Sequence, residues 1–258
     1  SDVCSSDLEC ISGSCSSEIN VKTTDLLYSQ VGNAGRIFAW DVYTNGFAQL
    51  NVPFALSGNS SVQIAHTSNK LWVSSASTSA GRVAAIREWD ITLSPFSATY
   101  SKDIIVPGPA LNLGLFALDN NTLVVTSGST SKVVFEVDVS GVTPLFTPKI
   151  TFTGTPYVQS LVVTDSNKLI CIVQKSGNWY IEQYDYITGN QELSNLTSGF
   201  NPINIFVAYN QIQLKTVTSW STIPNQTPYS PLINSGLSTV YCESLSQLKS
   251  FITTQFII

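Results

Sequence analysis

A repeat limits this chain's fold more than any other feature of its sequence. An acidic residue closes an apolar-aromatic run four times: IFAWDV at Asp41, IREWDI at Asp90, VFEVDV at Asp138 and EQYDYI at Asp185. A fainter version, VYCESL, carries Glu243, and the successive steps are 49, 48, 47 and 58 residues. Each copy has an alternating run that follows a polar turn: TDLLYSQV, NKLWVSSA, NTLVVTSG, NKLICIVQ and NQIQLKTV. A shorter apolar run precedes each turn: EINVKT, VQIAHT, LGLFAL, QSLVVT and INIFVA. Period-two alternation between turns, rich in β-branched residues, marks strands. No segment holds a helical apolar stripe longer than two turns.

A step of about 48 residues is the length of one four-stranded blade. The expected fold is all-β: a β-propeller, read as five blades over residues 18–57, 58–109, 110–155, 156–200 and 201–258, after a Cys-rich segment over 1–17. Residues 18–22 would be the first innermost strand, and VYCESL the third strand of the last blade. The final run FITTQFII reads as a bare apolar strand that seals against the first blade or meets another chain. Trp40-Asp41 and Trp89-Asp90 resemble the dipeptide that closes the third strand of WD repeats. The companion Gly-His pair is absent, so the resemblance implies a generic propeller. Each signature Asp is expected to accept backbone N–H groups in the following turn.

Composition narrows the function classes. With 258 residues and 43% hydrophobic content, one all-β domain has ample core. Only 11% of residues are charged, and the net charge is −5 with Lys and Arg scattered singly. Attraction to nucleic acid or anionic lipid is therefore not expected. Ser, Thr and Asn supply the polarity, as on extracellular or glycan-covered surfaces. No apolar run approaches the ~18 residues of a membrane span. The sequence has no Met, which suits a processed product or an excised piece.

The stretch CSSDLECISGSC, with Cys4, Cys10 and Cys15, resembles part of a secreted EGF- or dickkopf-like Cys-rich module. That resemblance implies disulfides formed in an oxidising compartment. Cys4, Cys10, Cys15 and Cys242 are the disulfide candidates, while Cys171, inside KLICIV, reads as a buried thiol. Five cysteines leave at least one free or joined to another chain. Zinc fits poorly, because a CxxC pair is missing and His66 is the sole histidine. No cofactor or metal is expected. Sequons at Asn59, Asn120, Asn195 and Asn225 permit N-glycosylation, although composition alone yields about four. Pro228 directly follows the last and weakens it.

In a propeller, the connections between blades share one rim with the turns between second and third strands. That rim would receive the loop Ser74–Arg82, the connections near Pro53, Pro107, Pro156 and Pro202, and the segment Ser219–Gly236, read as a long loop that explains the step of 58. Phe54, Tyr157, Trp179, Phe200, Trp220 and Tyr229, with Asn225, form a candidate binding face on it. Ring faces stack on sugar C–H surfaces or anchor protein contacts, and amides bond hydroxyls. The plainer reading makes these rings loop anchors packed onto blade ends.

No catalytic residue is assigned. A glycosidase needs paired carboxylates near the axis. The acids on or beside innermost strands are Glu18, Asp119 and Asp165, and the last two fall at turns of the opposite rim. His66 is expected at the surface beside a turn. The sequence contains no GxSxG, Gly-rich phosphate loop, HExxH or EF-hand pattern. The expected function is non-catalytic: an extracellular or particle-surface structural or adhesion protein, such as a glycoprotein filament or surface-layer subunit, with the propeller as assembly scaffold. Its partners would be other protein chains, including copies of itself joined through the C-terminal strand or an intermolecular disulfide, and glycans. Nucleic acid and membrane insertion are not expected. The alternatives are a lectin-like module and a five-bladed glycosidase.

Overall fold

The computed structural model describes residues 10–11, 14–15, 26–31, 36–41, 46–50, 63–75, 83–93, 96–109, 114–126, 132–154, 156–197, 202–208, 211–216, 220–226 and 237–242. All regular structure among them is strand. β1 (Cys10–Ile11) and β2 (Ser14–Cys15) pair as a small hairpin that sets Cys10 opposite Cys15. β3 (Leu26–Val31), β4 (Arg36–Asp41) and β5 (Gly46–Leu50) form an antiparallel meander. The second sheet runs β6 (Ile64–His66), β7 (Lys70–Ser75), β8 (Val83–Leu93) and β9 (Phe96–Pro109). The third is β10 (Leu115–Ala117), β11 (Thr122–Thr126), β12 (Val133–Asp138) and β13 (Leu145–Thr151). The fourth is β14 (Tyr157–Val163), β15 (Lys168–Lys175), β16 (Asn178–Asp185) and β17 (Gln191–Leu196). β18 (Pro202–Ala208), β19 (Gln211–Thr216) and β20 (Trp220–Thr222) make the fifth. β21 (Leu237–Cys242) returns to the first sheet, parallel to β3, giving the order β21-β3-β4-β5.

The first strand of each sheet lies at the centre. β6 packs beside β10, β10 beside β14, β14 beside β18, β18 beside β21, and β21 beside β6. Meandering sheets set radially about a closed ring of inner strands are the blades of a β-propeller. The cycle passes through five sheets among the described residues.

Two expectations change. VYCESL, residues 240–245, was read as the third strand of the last blade, but its first three residues belong to β21, which supplies the innermost strand of the first. LSTVYC supplies the strand beside the axis where residues 18–22, outside the described residues, were expected to. The segment Ser219–Gly236 is not all loop: β20 lies in it and is the third strand of the fifth sheet. FITTQFII lies outside the described residues.

Burial falls from axis to rim. β10 is buried throughout and β11 nearly so, while every residue of β17 is exposed. Inner strands carry continuous apolar runs because a blade covers each face. Trp72, Ile86 and Ile104 of the second blade pack with Leu123, Val125 and Val137 of the third. Val124 and Phe152 of the third, Leu161 and Ile172 of the fourth, and Ile205 and Leu214 of the fifth share a second cluster.

The signature Asp acts as expected in two blades. Asp138 accepts the Ser140 backbone N–H at 2.9 Å, and Asp185 accepts those of Ile187 and Thr188 at 3.1 and 2.8 Å. Asp90 differs. β8 continues past it to Leu93, and Asp90 pairs with Lys70 at 2.7 Å. Where Asp185 turns the chain, Gly189 adopts φ +75°, and a Cβ there would lie 2.9 Å from the Lys149 carbonyl oxygen. Only glycine fits so close an approach.

Candidate functional site

The repeat brings one position of each inner strand toward the axis. The register makes Gln63, Gly114, Ser160 and Asn204 equivalent, each opening an apolar triplet: IAH, LFA, LVV and IFV. The Ser160 hydroxyl lies 3.2 Å from Gln63 Oε1, 2.5 Å from Asn204 Oδ1 and 2.9 Å from the Ile205 carbonyl oxygen. It also accepts the Ile205 N–H at 3.3 Å. One hydroxyl carries a single proton, so at least one side-chain amide turns its NH2 toward Ser160. Gln63, Ser160 and Asn204 are all buried. β6 and β14 are separated by β10 in the ring, so the Gln63–Ser160 contact spans the axis. At the equivalent position before β10, a Cβ on Gly114 would sit 3.0 Å from Thr126 Oγ1 and 3.1 Å from Leu161 Cδ2, so no larger residue fits there without displacing a neighbour. The centre at this level is a packed polar plug.

The candidate binding face divides. Tyr157 opens β14 and Trp179 lies near the start of β16, both opposite Gln174. Their rings meet edge to face at 6.1 Å and 71°, on the expected rim. Trp179 and Ile223 pack against the core, and burial pushes the Tyr157 hydroxyl up to about 12. This geometry matches the loop-anchor reading of these two rings. Trp220 begins β20 opposite Lys215, on the same rim. Asn225 does not join it. β20 crosses the blade, the Ile223 N–H bonds the Ile212 carbonyl, and exposed Asn225 follows at φ 58° on the opposite rim. Phe54, Phe200 and Tyr229 lie outside the described residues.

Of the sequons, Asn195 is exposed on β17, and Asn120 accepts the Thr67 hydroxyl across two blades. Asn59 lies outside the described residues. So does Cys4. Cys10 and Cys15 stand opposite each other in the first hairpin, and Cys242 stands opposite Val31. Cys171 is free and fully buried, as expected, and burial raises its thiol pKa well above the ordinary value.

Buried glutamates on third strands were missed. Glu182 is fully buried and accepts from Lys175 at 2.7 Å, Tyr184 at 2.7 Å, Ser194 at 2.7 Å and Gln191 at 3.0 Å. Burial alone would raise its pKa, but the donors, Lys175 first, outweigh that and hold the carboxyl below its usual value. Glu88 accepts from Lys70 at 2.7 Å, Trp72 Nε1 at 2.9 Å and Ser101 at 3.0 Å. Glu136 joins two blades, accepting from Tyr186 at 2.7 Å and pairing with Lys149 at 3.2 Å. The signal was present: each Glu lies two or three places before its signature Asp. His66 also corrects its expectation. It is buried, and desolvation holds its imidazole down at about 4.

The fold defines the chain as a β-propeller whose described inner strands meet through Gln63, Ser160 and Asn204. No family model matches the sequence, and the search of curated proteins finds no match. Among solved structures, the chain is similar to a provisionally assigned gluconolactonase at 12% identity and TM-score 0.46, over 78% of this chain and 74% of that one. It is similar also to the β-propeller domain of Cps50 (Swd1) from Myceliophteria thermophila, at 11% identity and TM-score 0.46, over 78% of this chain and 66% of that one.

Proposed function

We propose that this chain is a non-catalytic structural protein of an extracellular or particle surface, with the propeller as a rigid scaffold for protein assembly. The observation that carries this reading is the use made of the polar interior. Glu88, Glu136 and Glu182 hold strands and blades together, and Gln63, Ser160 and Asn204 fill the axis. Carboxylates fixed in this way serve rigidity, and a glycosidase needs its pair open to substrate and water. The Cys10–Cys15 hairpin and the odd cysteine count support covalent linkage to neighbours in an oxidising compartment. Denaturing electrophoresis without reductant tests this. A ladder that collapses on reduction is expected, and a monomer with every cysteine free or internally paired would count against covalent assembly.

The Tyr157–Trp179 pair favours a second reading, a lectin-like rim. Titration with simple sugars, repeated on Trp179→Ala and Trp220→Ala, separates the two. Binding lost in both variants supports the lectin. Absent binding, or binding that ignores both changes, removes it.

A further inference from the structure

The outer strands of the blades differ in how they are guarded. An outermost strand offers unpaired backbone groups, and proteins protect such edges with Pro, Lys, bulges or inward charge. β9 carries Pro107 and Pro109, a bulge at Ser101, and Lys102 bonded to the Val139 and Gly141 carbonyls at 2.5 and 3.1 Å. β13 carries Pro148 and a bulge at Lys149. β17 has neither Pro nor Lys, and its one irregularity falls at Glu192, near its start. The remaining run, Leu193–Leu196, pairs regularly with β16 and exposes Leu193 at 47% and Leu196 at 54%. Its sole charge is already partnered: Glu192 meets Lys168, which it shares with Asp185, at 2.5 Å and the Gln183 amide at 2.8 Å.

Resting on the scaffold reading, we propose that Leu193–Leu196 of β17 is a self-assembly edge that pairs antiparallel with the same edge of a second copy of this chain. Such a contact is isologous, with one two-fold axis. Centred on Asn195, it sets Ser194 of one copy, whose backbone groups face the free edge, against Leu196 of the other and opposes no like charges. The Leu196 side chains of the two copies become diagonal neighbours on one face and leave water together. A glycan on Asn195 would stand on this strand, so the edge belongs to chains unmodified there.

Sedimentation velocity on the full chain tests the proposal, with protein made without N-glycosylation and kept under reductant so that disulfides contribute nothing. A dimer is expected for the wild type. L193K/L196K should dissociate it, weakening association at least about tenfold. The single variants L193K and L196K should each weaken it in part. At concentrations low enough for the wild type to be monomeric, all three should keep its melting temperature, because both side chains are half exposed in the single chain. A wild-type monomer at the highest soluble concentration overturns the edge, as does a dimer indifferent to both lysines. If that reduced monomer becomes a disulfide-linked oligomer on oxidation, the edge fails and the scaffold reading stands. If it stays monomeric in both conditions, both fail.

Discussion

The first and fourth blades reach the same architecture by opposite routes. The fourth is one uninterrupted stretch, β14 to β17, in which each strand pairs antiparallel with the next. The first joins β3–β5 to β21, so Leu26 stands beside Leu237 across nearly the whole sequence, in parallel register. A local meander closes short loops, whereas a composite sheet pays the entropy of closing a very long one. The fourth blade should therefore hold together alone, while the first depends on the completed ring.

Ending the chain at Gly236 is the strongest way to break this comparison, because it removes β21 and bares the inner edges of β3 and the ring. Loss of the single cooperative melt is expected, with β3 and β4 amides exchanging freely while β15 and β16 keep much of their protection. One sharp transition at the wild-type temperature would show that the parallel strand closes nothing.

The next largest effect lies inside the fourth blade. Glu182→Ala strands the Lys175 ammonium and leaves Tyr184, Gln191 and Ser194 without their acceptor. Removing one partner of a buried ion pair costs about 3–5 kcal/mol. Glu136→Ala, at a carboxylate 29% exposed, should cost about 1 kcal/mol or less. Chemical denaturation of the two variants compares them, and equal losses would mean that the Glu182 network is not what stiffens this blade.

The same contrast sets what could be read from the sequence. Apolar alternation marks β7, β11, β15 and β19, and the Asp signature marks β4, β8, β12 and β16, because these strands pair with near neighbours in sequence. LSTVYC shows the same alternation, yet nothing local says that its partner is LLYSQV rather than the strand before it. β20 was hidden because WST is three residues inside a Pro- and Ser-rich segment. The axis plug was legible in principle, as a polar or small residue opening each inner triplet. Apolar periodicity draws attention to the triplets and away from Gln63, Ser160 and Asn204. Glu182 was obscured because charge is read as surface, and its four donors come from three different strands.

Acid should probe the seam between the second and first blades. His66 lies in β6, which packs beside β21. Its imidazole pKa is about 4 when folded against an ordinary value of 6.5, because burial disfavours the cation. The unfolded chain therefore binds the proton first. Stability is full above about pH 6.5 and falls by at most about 3 kcal/mol as pH drops to about 4. His66→Leu should flatten that window. The carboxylate window lies lower: Asp185, held at about 2 by the Thr188 N–H and by Lys168, gives up its contribution only below its ordinary value of 3.8. A pH–stability curve that keeps its slope between 6.5 and 4 in His66→Leu would assign the loss to other groups.

The axis separates local from ring-wide stability most cleanly. Ser160→Ala removes one oxygen from the fourth blade, but the groups it leaves are the Gln63 amide of the second blade and the Asn204 amide and Ile205 N–H of the fifth. A buried polar group without its partner costs about 1–3 kcal/mol. If blades fold singly and the axis merely fills, the loss should appear only in the exchange of β14 and β15. If the plug couples blades across the centre, β6 and β18 should lose protection with β14, while β16 and β17, farther from the axis, stay as they were. Ser160→Thr keeps the hydroxyl but adds a methyl where Gly114 already marks tight packing beside Leu161. Recovery of the β6 and β18 protection in Ser160→Thr, even at some cost in overall stability, would tie the coupling to the hydrogen bonds rather than to volume.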